Sequence, residues 1–473
     1  MRWPCHLAGG KLSVKGLAWG VAWKLVRQFG LSKILFLFSL TTLASVFHAA
    51  RIPGIGGTLF PLVPVVMFQI LLVILYAVSF VIRSHSRLSS VSRDLLFWLI
   101  FFLLYASSSA VVLPYLFEGI PVFNSRIGID HQVRNMTPLA FSVSNVGQVL
   151  YLCLNVLFFI GSNLYFNRGR EREHVFRVFL FSGLIVCFFA FYQKLNQLTG
   201  IYYPYEIVNS NDLYAQLYQQ FIGKTQRISA TFTEASYAGN VLGTFFVYYL
   251  FLLYYGRFRG LNLILFVVYL VATLLTTSSV GYVQIIFGLG VISIFSLKNL
   301  RSAFYTLVFV SLIAGGLALD HDVLLATLVN KQNSLSFIHR VASDEYSLKL
   351  FFNTYGMGVG LGGNRPSSFL TYMLSNVGLI GSWLFLMFIF AVVKPVFRND
   401  SNLSPEQKAL FWGLLSHLLG KVLGVPDLSF WFFWVLLAVS AIVLRGASVQ
   451  DTTWHRFERR GLSTGIDMAH GTS

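Results

Sequence analysis

Two stretches gather the residues that could do chemistry in a chain otherwise poor in charge. The first is Lys224-Thr-Gln-Arg227-Ile-Ser-Ala-Thr231-Phe-Thr-Glu234-Ala-Ser-Tyr237-Ala-Gly-Asn240, which runs directly into an apolar segment. The second, residues 334–381, carries His339, Arg340, Asp344, Glu345 and Arg365 and a glycine-dense turn from Gly356 to Gly363. That turn is no helix, because each Gly disfavours helix by about 1 kcal/mol relative to Ala. Arginine suits phosphate: its planar fork donates two parallel hydrogen bonds and it stays charged. A helix N-terminus adds free N–H groups and the positive end of a dipole. Arg227 and Arg365 beside helix entrances therefore read as a site for a phosphorylated group.

Each residue also has a plainer reading. Arg227 and Arg365 could be interfacial anchors that reach lipid phosphates. Thr231-x-x-Glu234 ahead of an apolar run has the spacing of a capping box, which would leave Glu234 holding only its own helix end. Asp320-His321-Asp322 suggests a metal, but adjacent side chains rarely converge and a solvated loop fits better. His417 and Lys421 lie four apart, on one face of an apolar segment; ionisable residues in such a place are functional by default, although Lys421 sits near the segment's end. Asn145, Gln148 and Asn155 read as hydrogen-bond partners between helices rather than ligands.

The elements that must position these residues are membrane helices. Of 473 residues, 56% are hydrophobic and only 11% charged, against about 25% charged in a soluble protein. The apolar residues fall in runs of about 17 to 25, enough to cross ~30 Å of hydrocarbon as helix. The fold class expected is all-α: a polytopic membrane domain, residues 34–445, between a basic N-terminal segment, 1–33, and a tail, 446–473. Spans are expected near 32–50, 58–82, 95–117, 139–162, 175–195, 235–255, 261–276, 280–297, 302–319, 369–393, 409–425 and 428–445. With the N-terminus in the cytoplasm, 24 of the 35 Lys and Arg fall on the cytoplasmic side, as the positive-inside rule requires. The net charge of +17 is thus a topology signal and does not imply nucleic acid. Both termini are placed inside. The basic start is too long for a signal peptide and lacks a cleavage site; residues 16–30 would make a surface helix or a basic tail.

The long outer loops, 118–138, 196–234 and 320–368, the last between spans 9 and 10, make the outer face the working one, since long loops in compact proteins are usually functional or disordered and aromatics such as Tyr202, Tyr203, Tyr205, Tyr214 and Tyr218 disfavour disorder. The three cysteines, Cys5, Cys153 and Cys187, make no disulfide framework. No cofactor is implied.

At the two stretches the chain resembles the O-antigen polymerase and O-antigen ligase family. Arg227-Ile-Ser-Ala-Thr-Phe-Thr-Glu234-Ala-Ser-Tyr-Ala-Gly is similar to that family's R-x-S-(G/A)-T-F-x-E-P-S element. Gly358-Val-Gly-Leu-Gly-Gly-Asn-Arg365-Pro-Ser-Ser-Phe-Leu, with Leu374-Ser-Asn-Val-Gly-Leu-Ile-Gly381, is similar to its G-x-G-x-G … G-L-I-G element. The resemblance implies a glycosyltransferase at the periplasmic face of a bacterial inner membrane, working on saccharides carried by undecaprenyl pyrophosphate. Polymerases join repeat units; ligases move the finished chain to lipid A core. Carried over by position, Arg227, Arg340 and Arg365 hold the donor pyrophosphate, with Glu234 or His339 as general base. A flippase and a chain-length regulator are the further partners expected, besides membrane lipids. Two departures matter. Ala235 stands where the family has Pro. Ser367-Ser368 stands where ligases have His-Asn, which favours polymerase over ligase. A flippase or other transporter is the rival from another class; it would need polar residues along its lumen or broken helices in two matching halves, and neither is read here.

Overall fold

The computed structural model describes residues 32–51, 64–83, 93–123, 136–166, 169–211, 220–222, 225–256, 260–296, 311, 335–398 and 400–446. It is mostly helical. In chain order the helices are α1 (Ser32–Ala44), α2 (Pro64–Arg83), α3 (Arg93–Leu116), α4 (Val143–Tyr165), α5 (Gly169–Thr199), the short α6 (Tyr205–Val208), α7 (Ala235–Tyr254), α8 (Gly260–Leu275), α9 (Ser279–Ser296), α10 (Leu335–Asn353), α11 (Phe369–Arg398), α12 (Pro405–Gly424) and α13 (Trp431–Arg445). Two small antiparallel hairpins accompany them: β1 (Pro121–Phe123) with β2 (Met136–Pro138), and β3 (Phe221–Ile222) with β4 (Thr225–Gln226).

Among the described residues α3, α4, α5, α7 and α11 are long and apolar enough to cross a membrane. With shorter apolar helices beside them, they mark a membrane-embedded protein. α8, with 16 residues, spans about 24 Å at 1.5 Å per residue, short of ~30 Å of hydrocarbon. Each expected span overlaps a described helix except 302–319, which falls outside the described residues but for residue 311; residues 58–63 of the second also fall outside them, and the first ends in turns after Ala44. The basic start through residue 31, the tail from 447, and Asp320-His321-Asp322 lie outside them too. The expected loop 320–368 is not all loop: residues 335–353 form α10, which packs on α11. The loops 118–138 and 196–234 contain the two hairpins and α6.

Two helices form the axis. Every residue of the membrane-length window of α7 is buried, and so is every residue of α13 from Trp431 to Leu444. α7 packs against α5, α8, α9 and α12; α13 packs against α4, α5, α11 and α12. A helix apolar all round belongs inside, and neither axial helix offers lipid a face. Phe rings fill the spaces between them, as where Phe245 meets Phe179 and Phe432 with centroids 5.1 and 5.9 Å away.

The glycine-dense turn has a structural task. Gly378 interrupts α11 with φ 67° and ψ −167°, a conformation open essentially to Gly alone. A break frees backbone groups that nothing in a bilayer could satisfy. The turn supplies the partners: Val359 N donates to Ser375 O at 2.8 Å, Gly360 N to Asn376 O at 2.9 Å, and Leu379 N to Gly356 O at 2.9 Å. The approach is backbone to backbone; a Cβ on Gly378 would lie 2.3 Å from Met357 O. Gly378→Ala is therefore expected to lower thermal stability and membrane accumulation sharply, the backbone conformation alone costing about 1–3 kcal/mol. Gly290→Ala, on α9 with nothing within 4 Å, should change neither. Equal accumulation and melting temperature for both variants would refute this account of the turn.

Candidate active site

The bundle has two distinct ends. At one, Lys394 pairs with Asp94, and Arg445 Nη2 donates to Ala391 O at 2.9 Å. At the other end lie Arg227, Glu234, Arg340, Arg365 and the turn after α12. Every candidate from the two sequence stretches whose side chain is described falls at this second end. His339 lies on α10 beside Arg340, but its side chain is outside the described residues, as is Lys224.

Glu234 is not the second member of a capping box. It is itself the N-cap of α7, extended at φ −145° and ψ 149°, and makes no side-chain cap hydrogen bond. Thr231, the supposed first member, donates its hydroxyl to Val46 O instead. The helix starts three residues later than the spacing implied, which frees the Glu234 carboxylate to form an ion pair with Arg340 Nη2, brought by α10. The pair is partly accessible, 16% for Glu234 and 23% for Arg340. The amides of Ala235 and Ser236, at the start of α7, have no hydrogen-bond partner among the described residues. They are the orphan donors every helix N-terminus carries, here buried.

Arg227 lies near enough for the same carboxylate to act on it. Its Nη1 donates to Gln220 Oε1 at 2.8 Å, and its backbone N to Gln220 O at 2.9 Å. At 7% exposed it does not snorkel to the surface, which tells against the anchor reading. Its Nε–H is buried and has no partner among the described residues. Burial pulls this guanidinium below its ordinary value and Glu234 pulls the other way; arginine remains charged regardless. Glu234 thus pairs with Arg340 and acts on Arg227 through space, beside a helix N-terminus with open donors: two guanidiniums against one carboxylate, a local excess of positive charge.

Arg365 belongs to a second cluster. Its Nη2 lies 3.4 Å from Asp427 Oδ2, in the turn between α12 and α13. Tyr237, one turn into α7, donates its hydroxyl to the same oxygen, and His48 stacks on Tyr237 with ring centroids 5.6 Å apart. Burial pushes the Asp427 carboxyl up, but Arg365, the Tyr237 hydroxyl, His48 and Lys421 together outweigh it and hold it below its ordinary value. Lys421 anchors the turn: Nζ donates to Asp427 O at 2.7 Å and Val425 O at 3.2 Å, over the rings of Phe369 and Phe433 at 4.5 and 4.7 Å. His417, one turn earlier on α12, meets Thr244 Oγ1 through Nδ1 at 2.9 Å and packs among Phe430, Phe432 and Phe433.

The glycine turn and the start of α11 do not offer the anion cradle that their composition suggested. The Gly358 amide goes to Thr354 Oγ1, Asn364 N to Asn376 Oδ1, and Arg365 N to Phe123 O. Asp344 caps α11, accepting from Ser367 N at 2.9 Å, Ser368 N at 3.0 Å and Thr371 Oγ1 at 2.8 Å. Most amides of the turn are thus already used within the fold.

No model of a known protein family matches the chain, and no curated protein matches it in sequence.

Between the β1–β2 hairpin, the start of α4 and the glycine turn lies a cavity of about 310 Å³, walled in part by Arg365 and Asp427. Asp427, Tyr237 and His48 were not singled out from the sequence. A lone carboxylate after Pro426 has no spacing that marks it, Tyr237 was seen only as part of its stretch, and His48 ends an apolar run.

Proposed function

We propose that this protein is a polysaccharide polymerase of a bacterial inner membrane. It joins oligosaccharide repeat units carried on undecaprenyl pyrophosphate at the periplasmic face, with twelve spans and both termini in the cytoplasm. The observation that carries the proposal is the convergence of the two stretches. Glu234 and Arg340, 106 residues apart in sequence, meet at one end of the bundle, with the buried Arg227 alongside. That place combines two guanidiniums, an unpaired Nε–H and open helix amides, all suited to a pyrophosphate.

In this reading a hydroxyl of the acceptor unit attacks the anomeric carbon of the donor. The bond from that carbon to the pyrophosphate oxygen breaks, and undecaprenyl pyrophosphate leaves. Arg227, Arg340 and the α7 amides stabilise the charge that grows on the leaving group; fixed donors aimed at developing charge are usually the largest catalytic contribution. The hydroxyl's proton passes to Glu234, with His339 as the alternative base. Arg365, paired with Asp427, completes the outer end. The ligase reading, in which a finished chain moves to lipid A core, would use the same leaving group.

A second reading, transport of the lipid-linked unit, draws on a polar cluster inside the bundle. Gln284 Nε2 donates to Asn240 Oδ1 at 2.8 Å and Ser416 O at 2.9 Å, and the buried Asn240 Nδ2, Gln284 Oε1 and His417 Nε2 have no partner among the described residues. Deletion separates the three. Cells without a polymerase keep single repeat units, on the carrier or on the surface acceptor, and lose long chains. Long chains retained on the lipid carrier would mean ligase. Repeat units trapped at the cytoplasmic face would mean a flippase.

A further inference from the structure

We infer that the 310 Å³ cavity beside Arg365 and Asp427 is a saccharide subsite that holds a sugar ring of the lipid-linked substrate, separate from the phosphate site at the start of α7. This rests on the polymerase reading and says which part of the substrate goes where.

The charge of the walls comes first. Arg365 faces this cavity already matched with Asp427 at 3.4 Å. A carboxylate in the wall repels a pyrophosphate, so the cavity is poorly made for an anion. A hydroxyl-bearing ring suits it, because a hydroxyl both donates and accepts. It can give to Asp427 and take from Arg365 without either charge losing its partner.

The unused polar groups come second. Gln148, on α4, reads from the sequence as a partner for a neighbouring helix. The two asparagines read with it do bind their neighbours: Asn145 Nδ2 donates to Leu361 O at 2.9 Å and Asn155 Oδ1 accepts from Gln69 Nε2 at 3.0 Å. The Gln148 carboxamide instead lines the cavity, and neither it nor the Thr137 hydroxyl on β2 has a hydrogen-bond partner among the described residues. A carboxamide with one acceptor and two donors, facing a cavity, is a ligand group awaiting hydroxyls.

The shape agrees. Phe123 and Tyr372 give the cavity aromatic walls, the apolar complement of the C–H face of a pyranose. Ligand cavities begin at about 300 Å³, with mostly apolar linings and a few convergent polar groups, so this one has room for roughly one or two rings. Its position is right as well. Asp427 is held by Tyr237, one turn along α7 from Glu234, so a sugar in the cavity lies beside the cluster proposed to hold its phosphate.

The test uses the purified full-length protein in lipid nanodiscs and two probes: undecaprenyl pyrophosphate without sugar, and the undecaprenyl-pyrophosphate-linked saccharide extracted from cells lacking this protein. Wild type should hold the saccharide-bearing probe about tenfold more tightly than the bare carrier, the margin of one or two hydrogen bonds. Gln148→Leu should bring that ratio close to one and leave affinity for the bare carrier unchanged, which also shows that the variant is folded. Thr137→Val, on the hairpin, should reduce the ratio in the same direction. A ratio unchanged in both variants would overturn the subsite while leaving the polymerase reading intact. Wild type that binds neither probe would overturn the polymerase reading, and the subsite with it.

Discussion

Glu234→Gln should abolish chain elongation while the protein accumulates in the membrane at its normal level. Two roles for this residue give opposite outcomes. A glutamine at the head of α7 can still accept a hydrogen bond from Arg340 and can still serve a helix end, so a structural Glu234 tolerates the change. An amide does not take up a proton, so loss of a general base should slow transfer by roughly 10² to 10⁴. The structure has already removed the cap from the structural side of this choice, since the carboxylate makes no cap hydrogen bond and pairs with Arg340. Chains of normal length from the Glu234→Gln protein would transfer the base to His339 or to the substrate itself.

The second large effect is expected of the arginines. Arg227→Lys and Arg340→Lys keep the charge and remove the fork. If both residues hold a pyrophosphate through paired donors, lysine should fail nearly as badly as alanine, with membrane accumulation unchanged. If they only fasten loops to headgroups, lysine should substitute well. Arg227 is the sharper of the two tests because it is 7% exposed and its Nε–H has no partner among the described residues. A buried donor left unmade costs about 1–3 kcal/mol, and a resident or transient anion would remove that cost. Polymer of normal length from Arg227→Lys, measured by sizing the surface polysaccharide, would reject the phosphate role.

Much of this arrangement was legible before the fold was known, for identifiable reasons. Apolar runs mark membrane helices because the bilayer demands a minimum length, and α3, α4, α5, α7 and α11 lie where those runs lie. Gly356 to Gly363 stood out because positive φ at Gly356, Gly358, Gly360 and Gly362 needs glycine. Its purpose was not legible. The partner that explains it is a break at Gly378, inside a run that reads as uninterrupted helix. The capping-box alternative for Glu234 fails although the Thr-x-x-Glu spacing is right, because the helix start is displaced. The pairing of Arg365 with Asp427 crosses 62 residues and follows from where α11, α12 and α13 lie in space, which no local pattern encodes. Gln148 shows the same limit: a polar residue in a membrane helix looks alike whether it binds a neighbouring helix or lines a cavity.

The central claim is that this protein joins lipid-linked units, and purified protein reconstituted into liposomes with undecaprenyl-pyrophosphate-linked repeat units tests it most directly. The account predicts a ladder of longer lipid-linked saccharides, one released undecaprenyl pyrophosphate for each unit added, and neither product from Glu234→Gln. Repeat units that cross the vesicle membrane without lengthening, or that stay single with no carrier released, would contradict it.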